Sequence, residues 1–140
     1  MKLLDGKIAI VSGVGSGMGI AHARALVQAG AKVFGFDIQT KNCIDLQDEL
    51  TPELFQFTQG NVTSLSDWLR VVETCKEIFK APDILVNNAG AAWGAPAEDH
   101  PVEAWDKVMN LNVRSYFILS QVVARRSMIA RKSGRIINTA

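Results

Sequence analysis

Residues 7–19 read KIAIVSGVGSGMG. The run from Lys7 to Ser12 is short, apolar and β-branched, the pattern of a strand buried on both faces. It passes directly into the glycine-rich turn Ser12 to Gly19, and a helical pattern follows from about Gly17 to Ala29, stopping at Gly30. Strand, glycine turn and helix in immediate succession open a βαβ unit. Glycines at such a turn let the backbone bend sharply and approach a pyrophosphate without Cβ interference. The helix aims its unpaired N–H groups and the positive end of its dipole at the same point. No Lys-Ser/Thr pair follows the last glycine, so the loop is not of the Walker type. A purely structural glycine turn is the competing reading.

The same alternation continues along the chain. Lys32–Asp37 reads as a second strand, a weak helix is predicted near Asp45 to Leu50, and Leu54–Thr58 reads as a third strand. Ser64 or Ser66 is placed to cap a helix whose apolar face carries Trp68, Leu69, Val72, Cys75 and Phe79. Asp83–Asn87 reads as a fourth strand, almost continuously apolar, and Gly90–Pro101 as a loop. A long helix is predicted from about Val102 to Ala130, and Arg135–Thr139 as a fifth strand that belongs inside a sheet. Strands alternating with helices imply a parallel sheet with right-handed crossovers. The expected fold is α/β, a doubly wound parallel sheet of the Rossmann type in the order 3-2-1-4-5, with residues 1–140 as one domain.

Composition narrows the function classes. The 140 residues carry 15 basic and 14 acidic side chains, a net charge of +1, which gives no reason to expect nucleic acid or an anionic membrane as partner. Arg125, Arg126, Arg131, Lys132 and Arg135 could form a phosphate patch, but cations also gather in the last turns of a helix because its dipole favours them. No apolar run approaches membrane-spanning length, and Asp5 and Lys7 interrupt the N-terminus before a signal-peptide core. Cys43 and Cys75 lack metal-ligand spacing and read as free thiols of a cytoplasmic protein, and no metal site is expected.

In doubly wound sheets ligands bind outside the carboxyl ends of the strands, at the switch point between strands 1 and 4. Strand 1 ends in the glycine loop. Strand 2 ends at Asp37, eighteen residues beyond Gly19, where a carboxylate can accept the ribose hydroxyls of an adenosine and repel a 2′-phosphate. Ser16 and Ile38 stand where a cation would reward that phosphate, so NAD is favoured over NADP, although Lys41 is close by. A surface aspartate at a turn is the alternative. Strand 3 is followed by Asn61-Val62 and strand 4 by Asn87-Asn88-Ala89-Gly90. Two adjacent amides at a buried strand end need hydrogen-bond partners and are expected to tie neighbouring backbone together.

With these residues in view, the chain resembles the short-chain dehydrogenase/reductase family over its whole length. Ser12, Gly13, Gly17 and Gly19 match the family's cofactor loop, Asp37 its NAD-selecting acid, and Asn87–Gly90 its NNAG motif. Asn61-Val62 resembles the family's Asp-Val pair beside adenine, without the charge. The segment MNLNVRSYFILS resembles the one bearing the tetrad asparagine, placed at Asn112 rather than Asn110. In the family that amide, through a local main-chain kink, holds a water of a proton relay. The general run is similar to bacterial 3-oxoacyl-carrier-protein reductases and gluconate 5-dehydrogenases.

The resemblance implies hydride transfer between nicotinamide and a carbonyl or alcohol carbon of a small molecule. It implies nucleotide contacts at Gly13, Gly15, Ser16, Gly17, Met18, Gly19, Asp37, Ile38, Asn61, Val62, Asn87, Asn88, Ala89 and Gly90, and a catalytic role for Asn112. It also implies a homo-oligomer, dimer or tetramer, built through the helix at 102–130, whose apolar residues Val113, Phe117, Leu119, Val122 and Val123 cover more than one stripe. The family's acid is the tyrosine of a Tyr-x-x-x-Lys motif, but the single tyrosine here, Tyr116, precedes Ser120 at that spacing. The family's serine would follow strand 5. The chain is therefore expected to be the cofactor-binding portion of an oxidoreductase, truncated after strand 5 and inactive alone. The alternative is a non-enzymatic NAD(H)-binding or interaction module. Trp93 is expected at a substrate mouth, and Trp105 in packing.

Overall fold

A computed structural model describes residues 1–140. Five parallel strands, β1 (Ile8–Ser12), β2 (Lys32–Asp37), β3 (Phe55–Gln59), β4 (Ile84–Asn87) and β5 (Arg135–Asn138), form one sheet in the order β3-β2-β1-β4-β5. The doubly wound expectation holds. Every residue of β1 and β4 is buried, as their unbroken apolar runs require of central strands.

Side chains alternate across this sheet and build two cores. On one face Ala9, Val11, Val33, Phe55 and Val86 meet helix α1 (Gly17–Gln28) through Ala23 and Val27, and helix α2 (Lys41–Leu50) through Cys43 and Leu46. On the other face Ile8, Ile10, Phe34, Phe36 and Leu85 meet helix α3 (Leu65–Ile78) through Trp68, Val71, Val72 and Cys75. Leu119, Val122 and Val123 of helix α5 (Ser115–Val123) complete that face. Ser64 caps α3, its hydroxyl accepting from the Asp67 N–H.

Three expectations change. Helix α2 begins at Lys41, not near Asp45, because Cys43 and Leu46 bury one face of an otherwise polar turn. The expected single helix over residues 102–130 is a helical rod over 102–131 made of α4 (Val102–Met109), a π segment (Asn110–Arg114), α5, a second π segment (Ala124–Met128) and α6 (Ile129–Arg131). Hooks to the loops at its side coincide with both π segments. The Asn112 amide is tied to Ala91, and the Ser127 hydroxyl donates to the Pro82 carbonyl. Third, β5, at the sheet edge as the order 3-2-1-4-5 requires, has all four residues exposed where a covered strand was expected, Ile136 at 39% and Ile137 at 50%.

Two members of the basic cluster are wired into this frame. Arg126 pairs with Glu73 at 2.9 Å. Arg131 donates to Asp83 and to the Pro82 carbonyl, while the other Asp83 oxygen accepts from the Ile8 N–H. No helix is long and apolar enough to cross a membrane.

Two measurements test this frame. Leu85→Ala, at a fully buried site, is expected to cost about 3 kcal/mol in urea unfolding, whereas Ile137→Ala should cost under about 1 kcal/mol. Burial raises the Cys75 thiol to about 12, and burial followed by the nearby Asp37 charge raises Cys43 to about 11. Both thiols lie above their ordinary value of 9.0, so the unfolded chain ionises first. Stability is then fully present below pH 9 and falls as pH rises toward 11 and 12, a loss that Cys75→Ala should reduce in pH-dependent melts.

Candidate functional site

The carboxyl ends of β1, β2, β3 and β4 enclose a cleft of about 590 Å³, within the roughly 300–1,000 Å³ usual for small-molecule and cofactor sites. It lies at the β1/β4 switch point, where strand order reverses. The strand ends are joined there by a buried seryl hydroxyl. Ser12 Oγ accepts from the Asn88 N–H at 3.0 Å and the Ala89 N–H at 3.1 Å. Asn88 Nδ2 returns a bond to the Gly13 carbonyl at 3.3 Å.

Glycine is required at this joint. Gly13 has φ +67°, and a Cβ there would meet the Ala89 Cα at 2.7 Å. At Gly19 a Cβ would fall 1.9 Å from the Gly13 carbonyl oxygen. The loop thus folds back on the first turn of α1. Ser16, the N-cap of α1, makes no side-chain capping bond, and the first turn carries no acid. The helix end beside the cleft therefore keeps free N–H donors, unlike the capped α3.

Asp37 closes the adjoining edge. Its Oδ2 accepts from the Gly15 N–H at 2.9 Å and its Oδ1 from the Gln39 N–H at 2.9 Å. Each oxygen retains acceptor capacity beyond these bonds. After β3, the Asn61 side-chain oxygen accepts from both the Thr63 N–H and the Thr63 hydroxyl, so it shapes its own turn. Val62 is buried at 6% exposure and forms part of the cleft wall.

Of the residues singled out in the sequence, Gly13, Gly15–Met18, Asp37, Ile38, Asn61, Val62 and Asn88–Gly90 line one cleft. Gly19 sits behind the loop, and Asn87 lies within the sheet. Asn87 is fully buried, and its Nδ2 donates to Ser120 Oγ and to Asn138 Oδ1, joining β4 to α5 and β5. It ties side chains, while Asn88 ties backbone. The side-chain oxygens of both asparagines are buried without partners.

Asn112 is not in the cleft wall. Its amide forms a two-point clamp on Ala91, accepting from the Ala91 N–H at 2.9 Å and donating to the Ala91 carbonyl at 2.8 Å. It fixes the chain just past Gly90, and the π segment supplies a main-chain irregularity at this position. Asn110 and Lys107 face the cleft instead.

A second, apolar cavity of about 420 Å³ lies beside the cleft, between Ala91–Trp93 and α4, with Lys107 and Leu111 shared between the two. Trp93, at 58% exposure, stands at its mouth. Trp105 does not pack as expected; it is 57% exposed, because helical spacing places it on the outer face of α4. Tyr116 is half-buried, and burial raises its hydroxyl above the ordinary value.

Asn42 and Gln59 were missed as site residues, and Ser12 was placed in the cofactor loop without its joining role. Asn42 Nδ2 donates to the Gly15 carbonyl, and Gln59 Nε2 to the Ile38 carbonyl. Its place at the head of the glycine loop was the available signal for Ser12. The other two gave none, since each acts on backbone remote in sequence.

The family described as short chain dehydrogenase matches residues 7–140. An NAD-dependent glycerol dehydrogenase of Listeria innocua is 37% identical over 96% of the chain and 52% of its own length. A rhamnolipids biosynthesis 3-oxoacyl-[acyl-carrier-protein] reductase of Pseudomonas aeruginosa is 38% identical over 96% and 54%. A 2-dehydro-3-deoxy-D-gluconate 5-dehydrogenase of Bacillus subtilis is 40% identical over 98% and 54%. The chain spans about half the length of the curated relatives it matches.

The joint at the switch point has a direct test. Gly19→Ala is expected to displace Gly13, lower stability by roughly 1–3 kcal/mol in chemical unfolding, and open residues 13–19 to amide exchange. Unchanged stability and exchange would contradict the close approach.

Proposed function

Because the chain belongs to the short-chain dehydrogenase family, we propose that its cleft holds the adenosine and pyrophosphate of NAD(H), in preference to NADP(H), for hydride exchange with a small-molecule alcohol or carbonyl substrate. The observation that carries this reading is Asp37, whose carboxylate borders the glycine loop with acceptor capacity remaining on both oxygens. The adenosine ribose hydroxyls donate to that carboxylate, while a 2′-phosphate there would meet like charge, with Ser16 and Ile38 rather than cations at the neighbouring positions. The uncapped N–H groups of α1 receive the pyrophosphate, with Gly13, Gly15, Ser16, Gly17 and Met18 shaping the loop around it.

Ile38, Asn61 and Val62 flank the adenine, and Asn88, Ala89 and Gly90 form the floor toward the nicotinamide. Gly19 and Asn87 support the site from behind. When bound, the nicotinamide supplies the hydride acceptor or donor. Asn112, by fixing Ala91, holds the main chain where the family places a proton-relay water. We place the acid–base pair in the half of the relatives' length that these residues do not span. Residues 1–140 then act as the dinucleotide-binding domain, without turnover by themselves.

The outer face of the helical rod, with Val102, Trp105, Val113 and Phe117 exposed, supports self-association into a dimer or tetramer. The buried free thiols Cys43 and Cys75 accord with a reducing cytoplasm. A cofactor-sensing module without turnover is the second reading, favoured only by the Tyr116-to-Ser120 spacing.

Calorimetric titration decides the cofactor assignment. NADH is expected to bind at least about tenfold more tightly than NADPH, the scale of one unfavourable like-charge contact, and residues 1–140 should show no ketone reduction with NADH. Equal or tighter NADPH binding would overturn the role of Asp37, and turnover would overturn the division of labour.

A further inference from the structure

We infer that Asn42 is a positioning residue of the nucleotide site: with Asp37, it holds the Gly15 peptide from both sides and so sets the glycine loop for binding. The inference rests on the NAD(H) reading above. Gly15 is the point where the loop faces the corner between β2 and α2. Its N–H donates to Asp37 Oδ2 at 2.9 Å, and its carbonyl accepts from Asn42 Nδ2 at 2.8 Å. The two bonds lie on opposite sides of the Gly15 Cα and together fix its backbone rotation. The approach is tight, because a Cβ on Gly15 would lie 3.0 Å from the Asp37 carboxyl and 3.0 Å from the Gln39 carbonyl oxygen.

Val14, fully buried in the core, anchors the loop just before this point, but Ser16, Gly17 and Met18 after it are exposed. The next residue, Ser16, is an N-cap without a side-chain bond, so the direction of the free N–H groups of α1 follows from how Gly15 is set. Asp37 alone cannot set it. Its bond constrains only the N–H side, and the same carboxylate is needed by the ribose. With the carbonyl held by Asn42, the N–H stays on Oδ2 and the remaining acceptor positions of Asp37 stay directed to the ligand. Asn42 itself does not line the cleft, so it acts through Gly15 rather than by contact.

Two substitutions separate positioning from stability. Asn42→Leu removes the donor while keeping a side chain that branches at Cγ. Asn42→Asp sets a carboxylate against the Gly15 carbonyl, yet an acid in the first turn of α2 favours the helix. Asn42→Gln, which restores an amide donor on a longer arm, serves as the rescue. Both Asn42→Leu and Asn42→Asp are expected to weaken NADH binding by calorimetry roughly fivefold to tenfold, the scale of one lost hydrogen bond. Amide exchange of residues 13–19 should rise in both, affinity should fall by more than the change in melting temperature accounts for, and Asn42→Gln should recover part of the affinity.

Unchanged affinity and exchange in both variants would overturn the inference, as would affinity falling only in step with melting temperature. If wild-type protein fails to bind NADH, the cofactor reading fails and the effect on affinity fails with it. Exchange at residues 13–19 then still decides whether Asn42 holds the loop.

Discussion

The hydroxyl of Ser12 is the contact on which the site depends. Strand order reverses between β1 and β4, so their carboxyl ends diverge into separate connections and need a direct link. Ser12 Oγ provides it by accepting from two successive N–H groups, those of Asn88 and Ala89. Because Ser12 is 1% exposed, these bonds are shielded from water, and losing them would leave buried donors unpaired. Gly13 can then pass against Ala89 only because it lacks a side chain. The loop, the first turn of α1 and the far wall of the cleft are placed relative to one another through this joint.

The surrounding wiring extends the same logic outward. Asp37 and Asn42 hold the loop on the β2 side, and Asn112 holds the chain beyond Gly90 on the β4 side. Asn87 carries the connection through the sheet to Ser120 and Asn138. Most of these contacts use a side chain from one element to fix the main chain of another. The glycine-rich side of the cleft is thereby tied in place without bulky groups filling the space that a ligand would take.

The sheet order was legible because β1 and β4 are short uninterrupted apolar runs and the glycine loop marks the first crossover. The carboxyl-end residues of the cleft were legible for the same reason, since topology alone sends them to one edge. Helix α2 was under-read because only Cys43 and Leu46 mark its buried face. The π segments left no local signal: their residues suit an α-helix equally well, and the departures coincide with ties to Ala91 and Pro82 outside the rod. Trp105 was misplaced because helical spacing does not say which face is covered; β5 took its expected place in the strand order, but an apolar composition does not say whether a strand's faces are covered. Asn42 was invisible, since its partner lies 27 residues away and its type is common at helix starts.

Amide shift mapping with NADH tests the central claim most directly, because it reports where along the chain the ligand is felt. Perturbations are expected at residues 13–19, 37–39, 61–63 and 88–90, the four strand-end segments that converge on the cleft. Perturbations confined to the outer face of the helical rod around Trp105 and Val113, or none at saturating NADH, would contradict it.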